Sequence, residues 1–571
     1  MLTKNDKLDC SLKLLQQLAE MCESSDYSDV TLIVGQTKIP AHKCILAARS
    51  PYFRAILYTI GDVPTTIERN FDGMMALNSS TVELYVSIEA FKLVLKFIYT
   101  GRLALSEIQY SNVLDLLKLA HDFGIDDLES GISAYLLDNL TLDNCCAALN
   151  AACLYNLTDL EEAALLYMDR HSTEVLKSTN FNTLAPKSLA SVLKRDTFCA
   201  PEMDIFKAVL EWRKHEHSDG EFQAIIPMVR FKLIDLEELL TIVKETSTLD
   251  SERLLEIVRE KTINHDMNYR FNLEPNENVA SAKNFNAKTI RSGINPLEIL
   301  DGNVTTYDGS TGYTYHHITD TVNNCIIVEL KSIYLINHIK ILLWDRDARS
   351  YSYCVDVSVD LKSWNRVYDG SAFFCRSWQN LHFKSCPVRY IKLVGTHNTA
   401  NTDFHVVELE AFYTENEPSL VNGLISPTVN VATIEKGAKV IDGLVNSGDT
   451  VDVVLNGAFK NYTGGSGYTY HTIGQGSIII QLAQPYHIGS CRLLLWDQDD
   501  RTYGYYVETS VDKKDWKMAV DKQNDRLKSW QELTFEPRPV VFFKIVGTHN
   551  SSNAGFHVVH FETPSSLALL N

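Results

Sequence analysis

A chain of 571 residues with 45% hydrophobic and 22% charged side chains has the composition of a packed globular protein, long enough for about three to five domains. Acidic residues outnumber basic ones by 72 to 53, a net charge of −19, which argues against nucleic acid or an anionic membrane as the main partner, since both need a basic face. No apolar run reaches the length of a membrane span, and the N-terminal stretch scatters charges where a secretory leader would be apolar.

In chain order, Leu12 to Met21 carries helical apolar spacing. Asp29 to Val34 reads as a strand, Gly35-Gln36 as a turn and Lys38 to Pro40 as a second strand. A helix opens at Ala41 and stops at Ser50-Pro51. Further on, Val113, Leu116, Leu117, Ala120 and Phe123 recur at three and four residues, the spacing of one buried helix face. The run SDVTLIVGQTKIPAHKCILAARSPYF, then Ala90-Phe91, Phe97 to Gly101 and Leu114 to Phe123, resembles the BTB (POZ) domain. That resemblance implies a symmetric homodimer and cullin-3 binding. It makes Phe53, Ile67, Glu68, Tyr99 and Phe123 the cullin-binding candidates, and Asp29 with Lys43 a candidate charged dimer pocket. An ion pair within one subunit explains the last two residues equally well. The hydrophobic-x-Glu motif that cullin-binding relatives often carry has only an irregular stand-in here, Thr66-Ile67-Glu68. His42 reads as a satisfied structural group rather than a ligand.

From Asn139 to Asn264 the periodicity stays helical, as a series of antiparallel helical pairs with Trp212 in the core. Tyr155 to Leu157, Phe181 to Leu193 and Ile205 to Trp212 resemble the BACK domain that commonly follows BTB. The polar stretch Asn272 to Asn278 reads as a linker.

The C-terminal half repeats itself. Leu342 to Trp364 returns as Leu494 to Trp516 with 14 of 23 positions identical, and the offset of 152 carries Ser377-Trp378-Gln379, VGTHN at Val394 and FHVV at Phe404 onto second copies. GYTYH recurs at Gly312 and Gly467. A period near 150 residues is a whole domain. Short strands at Ile326 to Leu330, Ile339 to Trp344, Tyr353 to Val359 and Tyr390 to Val394, with Gly, Asn and Asp turns between, indicate β-sandwiches. The motif series in each copy resembles the discoidin (coagulation-factor type C) jelly-roll. The fold expected is therefore multidomain: an α+β BTB/POZ domain over 1–135, an all-α BACK helical domain over 136–268, and two all-β discoidin-like jelly-roll sandwiches over 281–414 and 423–564, with linkers at 269–280 and 415–422.

Trp344, Asp345, Asp347 and Arg349, with Trp496, Asp497, Asp499 and Arg501 in the second copy, follow a buried strand and belong to an end loop, where ligands commonly bind. Together with His397-Asn398 and His549-Asn550 they are the client-binding candidates. The same carboxylates and Arg also suit a self-bracing loop, and preservation in both copies favours that use. The histidines lack the Cys pair, helical His spacing or clustered acid of a metal site, so no metal is expected. No phosphate loop, dinucleotide fingerprint, nucleophile elbow or HExxH is present, which points away from an enzyme and from any cofactor.

The 12 cysteines are not placed alike in the two copies, where Cys354, Cys375 and Cys386 face Tyr506, Leu527 and Arg538. An exported disulfide framework would repeat, so free thiols and a cytoplasmic location are expected. Sequons such as Asn303-Val304-Thr305 and Asn461-Tyr462-Thr463 would then stay bare. The resemblances together imply a cullin-3 adaptor that captures an unknown protein client through its sandwiches. The alternatives are a scaffold that recruits no ligase and, more weakly, a glycan or lipid binder.

Overall fold

The computed structural model describes residues 11–22, 24–58, 80–215, 217–263, 267–293, 295–296, 298–318, 324–460 and 462–565. They fall into two compact units, Met1–Asn268 and Tyr269–Asn571.

The first unit opens with a helix at Ser11–Glu20, then a hairpin of β1 (Val30–Val34) and β2 (Thr37–Ala41) turned at Gly35, whose φ of 58° suits a residue without a side chain. A third strand, β3 (Thr81–Leu84), lies parallel to β1 with Thr31 opposite Thr81, giving the order β2-β1-β3. Val30, Leu32 and Val34 alternate onto the buried face and pack on helices. The helix Ile88–Thr100 starts where Ser87 Oγ accepts the Ala90 amide and ends at Gly101 in the left-handed region. The next helix, Tyr110–Asp122, buries Val113, Leu116, Leu117 and Ala120, the face its spacing predicts, and Leu119 as well.

The helical region continues with Cys145–Tyr155, Thr158–Arg170, Pro186–Lys194, Glu202–Arg213 and Ser251–Ile263 among its longer helices. Trp212 is fully buried and donates its indole N–H to the Leu184 carbonyl at 2.8 Å, so the ring sits in the core without an orphaned donor. Ala152 and Leu160 join the core of the BTB region, and Tyr110 donates its hydroxyl to Asn144 O at 3.3 Å, which makes the two regions one packed body.

In the second unit β4 (Lys288–Arg291), β5 (Thr314–His317), β6 (Ile326–Leu343), β7 (Tyr351–Ser358), β8 (Asn365–Asp369), β9 (Trp378–Asn398) and β10 (Asp403–Phe412) run in the order β5-β10-β6-β9-β7-β8, with β4 beside β6. After a short hairpin, β11 (Leu420–Val421) and β12 (Leu424–Ile425), the order repeats. β13 (Lys439–Asp442), β14 (Thr469–Thr472), β15 (Ile478–Leu495), β16 (Tyr503–Ser510), β17 (Lys517–Leu527), β18 (Trp530–Asn550) and β19 (Gly555–Glu562) form β14-β19-β15-β18-β16-β17, with β13 beside β15. Each copy is a sandwich with its own apolar core.

Two expectations change here. The runs Ile326 to Leu330 and Ile339 to Trp344 are one strand, because the backbone stays extended through Lys331-Ser332 and absorbs the polar interruption as a register shift between Glu329 and Tyr334. Residues 269–280, read as a linker, lie along the first sandwich: the Asn272 amide donates to Ile333 O, the Val279 amide to Ala411 O, and Val279 and Ala280 are buried. Residues 415–422 are likewise tied down, through Glu417 to Asn337 and through β11.

The Val-Ser-Val-Asp motif closes a turn. Ser358 Oγ accepts the Asp360 and Leu361 amides and Asp360 Oδ1 accepts those of Lys362 and Ser363, while Leu361 sits at φ 62°. Ser510, Asp512 and Lys513, also at φ 62°, repeat every part of it.

Candidate functional site

The two sandwich loops are built alike. Trp344 donates its indole N–H to Asp308 O at 2.6 Å, and Arg349 lies over its ring at 4.2 Å. Arg349 Nε and Nη2 grip Asp347 at 2.9 and 2.7 Å, and the Arg349 amide donates to the same carboxylate. Asp345 accepts the Tyr307 hydroxyl at 2.7 Å. In the second copy Trp496 donates to Thr463 O, Arg501 lies 4.0 Å over its ring and grips Asp499, and Asp497 accepts the Tyr462 hydroxyl. The hydrogen bonds from Arg349 hold Asp347 below the usual carboxylate range, and those from Arg501 take Asp499 down to about 2. With each carboxylate already matched, these side chains brace the loop.

The histidine motifs divide by role. His405 and His557 are buried and bonded through Nδ1 to Tyr351 and Tyr503 at 3.2 Å, and burial first, then the nearby Arg349 or Arg501, pushes each down to about 4. They are neutral core groups. Asn398 and Asn550 each close the hairpin that follows, donating to the main chain of Asp403 and Gly555 at 2.6 Å. His397 is exposed and stacks on Phe374 at 5.1 Å, whereas His549 is half-buried.

The end loop of the first sandwich is not free. Arg376, 4% exposed, donates from its backbone to Ala483 O at 2.9 Å and from Nη1 to Gly437 O at 2.7 Å, both in the second sandwich, and from Nη2 to Asp345 O. Gln379 donates to Ala483 O at 2.8 Å. Gln481 donates to Ser350 Oγ and Phe374 O, and Gln484 brackets the main chain of Asn380. Phe373 and Phe374 pack on Ile479, Val541 and Phe542. These side chains form a joint that the shared motifs do not reveal, because Ser-Trp-Gln occurs in both copies while only one copy uses it this way. A usable signal was the loss of charge at matched positions: Glu329 and Arg389 in the first copy are Gln481 and Val541 in the second.

In the first unit Phe53 and Phe123 are fully buried with ring centroids 5.1 Å apart, and Tyr99 is buried with its hydroxyl 2.8 Å from His42 Nδ1. This corrects their reading as direct partner contacts: they have no surface to offer and pack in the core. Burial raises the Tyr99 phenol to about 12, so it stays a neutral donor. His42 also reaches Asp26 O at 2.8 Å. Asp29 and Lys43 do meet, but the contact is the Lys43 backbone amide donating to Asp29 Oδ1 at 2.8 Å, a brace at the start of the helix Lys43–Arg49. Ile67 and Glu68 lie outside the described residues, as does Asn461.

Comparison with known proteins agrees with this architecture. Family models match as BTB/POZ domain over 18–140, BTB And C-terminal Kelch (BACK) over 145–244 and F5/8 type C domain over 280–409. BTB/POZ domain-containing protein 9 of Drosophila melanogaster is 46% identical over 560 residues, covering 98% of this chain and 75% of that one. The chain belongs to the BTB/POZ domain-containing protein 9 family. The Homo sapiens member is 43% identical over 553 residues, covering 96% of this chain and 88% of its own. Outside the family, Kelch-like protein 8 of Caenorhabditis elegans shares 26% identity over 253 residues, 43% of this chain and 34% of its own. The chain thus joins BTB and BACK modules to two sandwiches of one strand order, the first of them matched as F5/8 type C, and none of the matched models is of an enzyme family.

No helix among the described residues is long and apolar enough to cross a membrane. Cys354 and Cys375 are free thiols, and burial raises Cys354 to about 11 and Cys375 to about 12, which makes both poor nucleophiles.

Proposed function

We propose that this chain is a non-catalytic cytoplasmic adaptor: its BTB region dimerises and recruits cullin-3, and its tandem sandwiches hold a protein client for ubiquitination. The observation that carries this reading is the BTB-BACK pair in one packed body, on the same chain as two sandwiches locked by a joint. Such a chain forms no bond in its client and works by raising the local concentration of one bound protein near another. Free thiols that differ between the copies support a reducing compartment.

Calorimetry with cullin-3 tests the reading. The double change Ile67→Ala and Glu68→Ala is expected to weaken binding by at least about tenfold while the dimer persists, as removal of an interface anchor does. Unchanged binding would move the contact away from that segment. Absence of binding by the unmutated chain near about 100 μM cullin-3, roughly −5.5 kcal/mol, would favour a scaffold that clusters proteins without a ligase.

A further inference from the structure

The internal repeat makes one surface of the first sandwich a worked example for the second. β8 and β17 are the last strands of their sheets. In the first copy, the chain just beyond β8 gives its outer edge to the second sandwich: the Phe374 amide donates to Val511 O at 3.0 Å and the Arg376 amide to Ala483 O at 2.9 Å. Cys375, between them, faces the other way and exchanges both main-chain bonds with Tyr351 at 2.8 Å. At the constant offset Leu527 pairs with Tyr503, so the main chain of Arg526 and Lys528 turns outward as that of Phe374 and Arg376 does. Among the described residues, no group outside the sheet accepts from either amide.

The side chains have changed with the setting. Apolar Phe374 has become Arg526, and Arg376 has become Lys528; both are exposed. Lys528 pairs with Asp500, whose side chain is fully exposed, while Arg526 donates to the Asp525 carbonyl and forms no ion pair among the described residues. Positive charge on an edge strand repels a basic strand and resists the desolvation that pairing with a neutral one requires, but it favours one of opposite sign. We propose that the edge of the second sandwich at Arg526 and Lys528 takes an extended, acidic segment of the client by strand addition. Client carbonyls accept from the two amides, and client carboxylates meet the two cations. The matching edge of the first sandwich is buried in the joint, so capture is one-sided.

This proposal rests on the client-capture reading, and the full chain tests it apart from that reading. The probe is a capped peptide of about ten residues alternating Glu and Val, with an alternating Lys and Val peptide as control, followed by fluorescence anisotropy. Expected is saturable binding of the acidic peptide alone, weakened at least about tenfold by Arg526→Glu with Lys528→Glu, and slowed exchange of the Arg526 and Lys528 amides in the complex. Should the double variant misfold, Arg526→Ser alone is expected to weaken binding at least about threefold. No saturation by about 1 mM, equal binding of the Lys peptide, or indifference to the substitutions overturns the proposal and leaves the charges as mere protection of an edge. Cullin-3 binding is measured on the same samples: its loss alone sinks the adaptor reading, and loss of peptide binding alone sinks the edge.

Discussion

The two sandwiches share strand order, the Ser-Asp turn and the Trp-Arg-Asp loop almost atom for atom, yet they meet each other through different surfaces. The first offers the chain beyond β8, and the second offers the face of β15 and β18. On that face the first sandwich keeps Glu329 between Lys288 and Arg389, whereas the second has an uncharged Gln481 that is fully buried. Most residues common to both copies serve the fold of each sandwich, Gln379 is common yet serves the joint, and the rest of the interface is written where the copies differ.

The sharpest way to break this comparison is to return the charge. Gln481→Glu places a carboxylate in the joint without the Lys and Arg that serve Glu329, and is expected to destabilise the sandwich pair by about 3 kcal/mol or more, splitting one calorimetric transition into two. Glu329→Gln, which leaves behind a Lys288 and an Arg389 that both reach solvent, is expected to cost under about 1 kcal/mol. Equal effects would show that the face is not what locks the pair.

A second test compares Glu408 with its counterpart His560. Glu408 is buried with the Gly302 amide at 3.0 Å, and burial, then Asp301 and Glu410, pushes it up to about 8. Because its folded value lies above the unfolded one, the group destabilises the fold progressively as pH rises from about 4.5 through 8. Glu408→Gln is therefore expected to stabilise by about 2 kcal/mol at pH 8 and by almost nothing at pH 4, read as melting temperature. In the second sandwich burial raises Glu562, but His560 and Arg492 outweigh it and hold the acid down to about 2. Its contribution is present above about pH 4.5 and is lost as pH falls toward 2, so Glu562→Gln is expected to lower the melting temperature at pH 7 and to have little effect near pH 2.

The smallest expected effect is in the loops. Arg349→Ala removes a ring contact and a bidentate carboxylate pair and should cost about 1 kcal/mol by denaturant melting, and Arg501→Ala less, since the first loop also feels the joint through Asp345. A large loss of client binding in Arg349→Ala, without loss of stability, would return that loop to the list of contact sites.

Much of this was legible in the sequence, for a physical reason. Helix faces and repeats are periodic, so Val113 to Phe123 and the offset of 152 identify the buried face and the duplicated sandwich without coordinates. β3 was not read, since four residues after an irregular stretch carry too little pattern. Resemblance could not separate core from surface at Phe53 and Phe123: a motif keeps residues for packing as readily as for binding. The joint left only a faint trace, the loss of charge at 481 and 541, because Gln379, Gln481 and Arg376 obey no period and their contacts across the pair explain their burial.

Two sandwiches so alike on one chain carry a hazard during folding, because a strand of one copy can dock into the sheet of the other. The Ser358–Asp360 turn and its twin at Ser510–Asp512 bear on this. Their hydrogen bonds span no more than three residues, so closing them involves almost no loop entropy and can precede any long-range pairing. Each copy can therefore fix the register that follows β7 or β16 from its own neighbours, before the other copy is available to compete.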